Sequence, residues 1–167
     1  MKQLLKQYAA YNLWANKKLL GRISEFAEEL CTREIPSSFT SINKTILHLW
    51  DVEQIWWQRL NLAEHVIWPS SAFKGTSQEL FSQLLSSSQQ WVQWVEKAND
   101  VNLEHVFAYQ NSKREQFKQP VYEVLQHLFN HQTYHRGQVI TMLHTLKVEK
   151  IPATDFILFC RSKVKIV

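Results

Sequence analysis

Read along the chain, apolar residues recur at three- and four-residue steps in four long stretches, the period of a helix with one buried face. The first covers residues 2–29, with Leu4, Tyr8, Tyr11, Ala15, Leu19, Ile23 and Phe26 on one stripe. Pro36, Ser37 and Ser38 mark a loop, and the second stretch covers 41–62. The third opens on Thr76-Ser77-Gln78-Glu79, a capping box in which Thr76 caps the helix and Glu79 reaches back to it. It continues to about residue 97, with Phe81, Leu84, Leu85, Val92 and Val95 inside. The fourth starts at Pro120, whose fixed φ suits a first helical turn, and continues to about Leu146. Beyond Pro152, residues 154–162 predict a short helix packing Phe156, Ile157 and Phe159. Residues 104–119 are mostly polar, with Val106-Phe107-Ala108-Tyr109 ahead of an Asn111-Ser112 turn, and predict a loop or short hairpin. The whole reads as an all-α single domain over 1–167, a four-helix bundle with a short C-terminal helix.

Composition agrees with this picture. Gly (3) and Pro (4) are scarce, so little interrupts long helices. Hydrophobic residues at 45% and charged residues at 20% suit a globular core rather than disorder. The net charge is +4, but Lys and Arg are dispersed and the Lys163, Lys165 tail is short, so no nucleic-acid partner is expected. Cys31 and Cys160 are far apart in sequence and fit no metal spacing, which suggests free thiols in a reducing compartment. The opening MKQLLKQYAAYNLWANKK lacks the apolar core of a signal peptide, and no stretch approaches the ~20 apolar residues of a membrane span. A cytoplasmic protein with no membrane partner is expected.

The chemistry lies in the histidines. On the fourth stretch the apolar stripe is Val121, Val124, Leu125, Leu128, Val139, Met142, Leu143 and Leu146, and His131 and His135 fall within it. A buried imidazole without a partner costs roughly 1–3 kcal/mol, and two of them one turn apart can point at a single ion. On the second stretch the stripe is Ile42, Thr45, Leu49, Val52, Trp56 and Leu60, with His48 at its edge. A third imidazole can therefore enter from a neighbouring helix. Three imidazoles with a free fourth position describe an open site for a divalent ion, zinc or nickel, since no thiolate is near in sequence. The same residues also fit core histidines satisfied by other side chains or water. His127 extends the run, yet eight residues of helix span ~12 Å, so His127 and His135 cannot share one ion. Spacing leaves 127/131 and 131/135 as alternatives. His65, His105 and His144 read as surface residues.

The run His127-Leu-Phe-Asn-His131-Gln-Thr-Tyr-His135-Arg136-Gly137-Gln138 resembles the signature of the DinB family. Tyr11-Asn12-Leu13-Trp14-Ala15-Asn16 is similar to that family's opening helix, His48-Leu49 with Trp56 and Arg59-Leu60 to its second-helix motif, and Thr154-Asp155-Phe156 to its C-terminal segment. The resemblance implies a four-helix bundle with His48, His131 and His135 as metal ligands. It leaves His127 to contact the ligands rather than the ion. Tyr134, Arg136, Gln138 and Asp51 are further candidates for such supporting contacts. Arg136 and Gln138 suit holding a ligand or positioning an anionic substrate, and Arg136 equally suits tying its helix to the chain termini. One departure is Lys147-Val148-Glu149, where family members commonly carry a helix-ending glycine.

An open site of this kind implies a metal-dependent hydrolase or thiol-dependent transferase acting on a small thiol or anion. No Ser-His-Asp order, phosphate-cradling loop or nucleotide fingerprint supports other chemistry. Asp51 lies nearer His48's face than Glu53, both read as surface or helix-pair carboxylates, and no catalytic residue is assigned. The alternative is a non-catalytic bundle with a structural or interaction role for its metal, and on either reading a homodimer is expected. The dimer rests on Ile46, Trp50 and Trp57, which leave the second helix apolar on a second side that a partner copy or this chain's own loops must cover. The pocket mouth is expected in loops 63–75 and 102–119.

Overall fold

The computed structural model describes residues 1–162, so the Lys163, Lys165 tail lies outside the described residues. The elements in chain order are α1 (Lys2–Ile23), α2 (Glu28–Thr32), α3 (Ile42–Leu60), α4 (Ser77–Lys97), α5 (Asp100–Glu104), β1 (Val106–Gln110), β2 (Gln116–Pro120), α6 (Val121–Thr145) and α7 (Phe156–Ser162). α1 packs on α4 and α6, and α3 packs on the same two helices, so α1 and α3 occupy opposite corners of a four-helix bundle. α7 lies along α1 through Tyr8, Tyr11, Trp14, Phe156 and Phe159. No helix among the described residues is long and apolar enough to cross a membrane.

Local signals set most boundaries. Both halves of the Thr76–Glu79 capping box form, and Ser41 caps α3 by accepting from the Lys44 amide. Pro120 is the cap of α6 rather than its first residue. Residues 104–119 form the short α5 and an antiparallel hairpin, with Val106 opposite Pro120 and Gln110 opposite Gln116. α6 ends without the glycine: Lys147 itself takes the left-handed φ of 57°, and Val148 N–H closes onto Leu143 C=O.

Four expectations need correction. The first helix stops at Ile23 and the chain restarts as α2, because the Glu28 carboxylate is drawn to the exposed donors at the start of α4, accepting from Ser77 N–H and Oγ. Leu4 is exposed, with Leu5 taking its place in the core. The final helix begins at Phe156 and leaves Ile157 exposed. Glu53 and Asp51 are both buried rather than surface carboxylates, Glu53 completely.

Apart from the small apolar cluster between α1 and α7, the core among the described residues has two apolar clusters. One joins the start of α1 and α6 to the ends of α3 and α4 around Trp91, and the other fills the opposite end around Leu19, Ile46, Leu84 and Val139. Between them runs a buried polar belt. Glu53 Oε1 accepts from Asn12 Nδ2 (2.9 Å) and Ser88 Oγ (2.8 Å), Asn16 Nδ2 donates to Ser88 Oγ (3.0 Å), and Arg136 Nη1 donates to Asn12 Oδ1 (2.5 Å) and Asn16 Oδ1 (3.1 Å). The belt crosses all four helices and sets their heights against one another.

The face read as open to a partner copy is covered in part by this chain itself, with Trp50 and Trp57 left half-buried. Ile46 is fully buried, Trp57 packs edge-on against Trp91, and Trp50 packs edge-on against Phe73 from the 61–76 connection.

Candidate metal centre

Helical register and the polar belt together bring His48, His131 and His135 to one point. Gln132, next to His131, donates through Nε2 to the carbonyl of Leu49, next to His48, at 2.9 Å. That bond fixes α6 against α3 one residue from each histidine. His131 Nε2 lies 3.1 Å from His48 Nε2 and 3.1 Å from His135 Nε2, and the three nitrogens fall within 4.8 Å of one another. His127 is not in the group, and neither is Asp51, which accepts the Ser70 amide at 2.9 Å instead.

The donor chemistry fits a cation. His135 Nδ1 meets Gln138 Oε1 at 2.6 Å, while Gln138 Nε2 reaches Ser38 Oγ at 3.5 Å, which orients the amide. His135 thus carries its proton on Nδ1 and turns a lone pair inward through Nε2. A single proton on His131 Nε2 serves only one of its two neighbours, whereas one cation serves all three nitrogens. Two bonds of about 2.0–2.1 Å span nitrogens at this spacing without strain. Three histidines this close could bind a metal ion.

Phe39 covers one side, stacked on His48 (ring centroids 4.5 Å apart) and edge-on to His135 (5.5 Å). Tyr134 is 65% exposed and packs edge-on against His135 at 4.9 Å. His127 stands 5.8 Å from His131, ring to ring, with Trp56 against its other side at 5.6 Å. On that side a cavity of about 210 Å³ opens, walled by Val52, Ile55, Trp56, His127 and His131. Arg136 points away from the cluster into the polar belt and under the Tyr11 ring, so it supports α6 rather than meeting a ligand. His65, His105 and His144 are exposed. Reading the sequence missed Gln132 and Phe39. Gln132 is the polar neighbour of a motif histidine on a stripe, a findable signal, whereas Phe39 sits in a loop with no periodicity.

Burial lowers the His48 pKa to about 4 and the His131 pKa to about 3, with the neighbouring imidazoles adding to the effect. His135 is lowered by burial and His127 by burial and the Arg59 charge. The cluster stays neutral, which is the ligand form. In the metal-free protein the unfolded chain therefore binds more protons below pH 6.5 than the folded chain, and stability is lost as the pH is lowered through that range. Glu53 works oppositely, since burial raises its carboxyl to about 7. In a Glu53→Gln background the thermal midpoint of the metal-free protein should fall steadily from pH 7 to 5. A flat profile would contradict the neutral cluster.

A family model described as the DinB family matches residues 1–163. The chain belongs to the DinB family. It is also 28% identical over 158 residues to Protein DinB of Bacillus subtilis (strain 168), covering 89% of each chain. The family match includes both histidine-bearing helices, α3 and α6, of this DinB-family protein.

Proposed function

We propose that this DinB-family protein is a metal-dependent enzyme, a hydrolase or thiol-dependent transferase, with one divalent ion, zinc or nickel, on His48, His131 and His135. The convergence of three Nε2 atoms beside a cavity carries this reading. An ion so held supplies Lewis acidity, lowering the pKa of a thiol or water in its free position. The chain's own residues do the rest. Gln138 keeps the His135 lone pair turned inward, Gln132 holds the spacing of the two helices, and Phe39 shuts one side from solvent. Val52, Ile55 and Trp56 make the open side apolar, which strengthens any electrostatic contact formed there. The free cysteines suit a cytoplasmic setting. A purely structural metal bundle gains nothing from an open cavity at His131.

Cobalt substitution tests the open position. The visible spectrum of the cobalt protein should change on adding millimolar thiol or azide, because a new ligand enters the coordination sphere. A spectrum indifferent to both would mean a closed site and would end the enzymatic reading.

A further inference from the structure

Arg59, on the last turn of α3, is a partly buried cation left without an anion. Its Nε is buried with no hydrogen-bond partner, and none of the ion pairs among the described residues involves it. Two aromatic rings pack against its guanidinium: the carbon lies 4.7 Å from the Trp56 ring centre and 5.2 Å from that of Tyr109. Those two rings meet edge to face at 4.9 Å, so both lie on one side of the group, and none of its N–H groups is spent on a hydrogen bond among the described residues. The fully buried arginine is treated differently. Arg136 spends its donors on Asn12, Asn16 and Thr133.

The place of Arg59 gives this vacancy meaning. It walls the cavity of about 210 Å³ that also touches His131, and it walls an outer cavity of about 520 Å³ between the 62–68 segment and the hairpin. Trp68, Asn111 and Ser112 also border both spaces. The nearby carboxylates do not answer the charge. Glu64, on the outer wall, is 91% exposed in its side chain and faces His65 at 3.9 Å, and Glu123 accepts from Gln119 at 3.4 Å. A guanidinium does not escape its charge by losing a proton. It needs an anion, and the edge that can bind one borders the path to the histidines.

We propose that Arg59 selects the substrate of the histidine site: the molecule acted on carries a carboxylate, which docks on the guanidinium edge while its reacting group lies beside His131. This rests on the reading of the three histidines as an open metal site. The inner cavity is below the roughly 300 Å³ of a drug-sized pocket, so the reacting end is small and the bulk of the substrate occupies the outer cavity.

Two thiols of similar size make the test, 3-mercaptopropionate with a carboxylate and 2-mercaptoethanol without one. On the cobalt protein, mercaptopropionate should bind at least about tenfold more tightly, the effect of one charge-assisted hydrogen bond. Arg59→Gln should abolish that preference and Arg59→Lys should restore part of it, with metal content measured alongside. Equal binding of both thiols by the wild-type protein would overturn the proposal and leave the open metal site standing. Silence of the spectrum to both would overturn the open site instead. The proposal is then judged on the metal-free protein by the ¹⁵N Nε–H resonance of Arg59, identified by its loss in Arg59→Lys. That signal should move saturably with 3-mercaptopropionate and stay still with 2-mercaptoethanol. No movement with either would overturn it.

Discussion

Replacing Arg136 with Met should destabilise the protein by about 3–5 kcal/mol, the usual cost of removing one member of a buried charged network. That is a large part of the roughly 5–15 kcal/mol that holds a domain together. Arg136 is 2% exposed and donates to Asn12, Asn16 and Thr133. Without it the two buried amide oxygens lose their donor, and Glu53, fully buried and raised to about 7, loses the cation that favours its ionised form. The loss should therefore be larger at pH 8 than at pH 6. Adding Glu53→Gln should recover part of it at pH 8, since no buried charge then remains. Urea unfolding of both single variants and the double variant measures these terms. A loss below about 1 kcal/mol for Arg136→Met at both pH values would show that the belt does not hold the bundle together.

That belt is also where reading the sequence reached its limit. The stripes of α3 and α6 were legible because burial repeats with helical period: Leu49, Val52, Leu128 and Val139 are buried where the pattern puts them. The Thr76–Glu79 box was legible because its partners are three residues apart. Glu53 was not, because its partners come from α1 and α4, 41 and 35 residues away. An apolar-stripe test places any carboxylate outside. The end of α1 failed for a similar reason, since the Glu28 contact with Ser77 spans 49 residues and competes with a locally adequate helix. For the histidines, spacing narrowed the choice to two pairs and the family resemblance selected one. The geometry brings together that pair, with His127 on the cavity wall.

Loss of the ion from ligand variants is the other large effect expected. His131 sits between the other two, 3.1 Å from each, so His131→Ala removes the nitrogen that both neighbours face. Two imidazoles on different helices then remain, and little metal should survive dialysis. Gln138→Ala frees the His135 ring from its Oε1 anchor, and His127→Ala removes a ring packed on His131. Each should weaken binding by only about 10–100-fold, the scale for groups that orient a ligand. Complete loss in His127→Ala would shift the site to the 127/131 pair.

The most direct measurement is elemental analysis of the wild-type chain and His131→Ala, each loaded with zinc and dialysed. The expected result is about one ion per chain in the wild type, as for a single three-histidine site, and almost none in the variant. A wild type that retains no metal, or a variant that retains as much as the wild type, would contradict the assignment of His48, His131 and His135 as ligands.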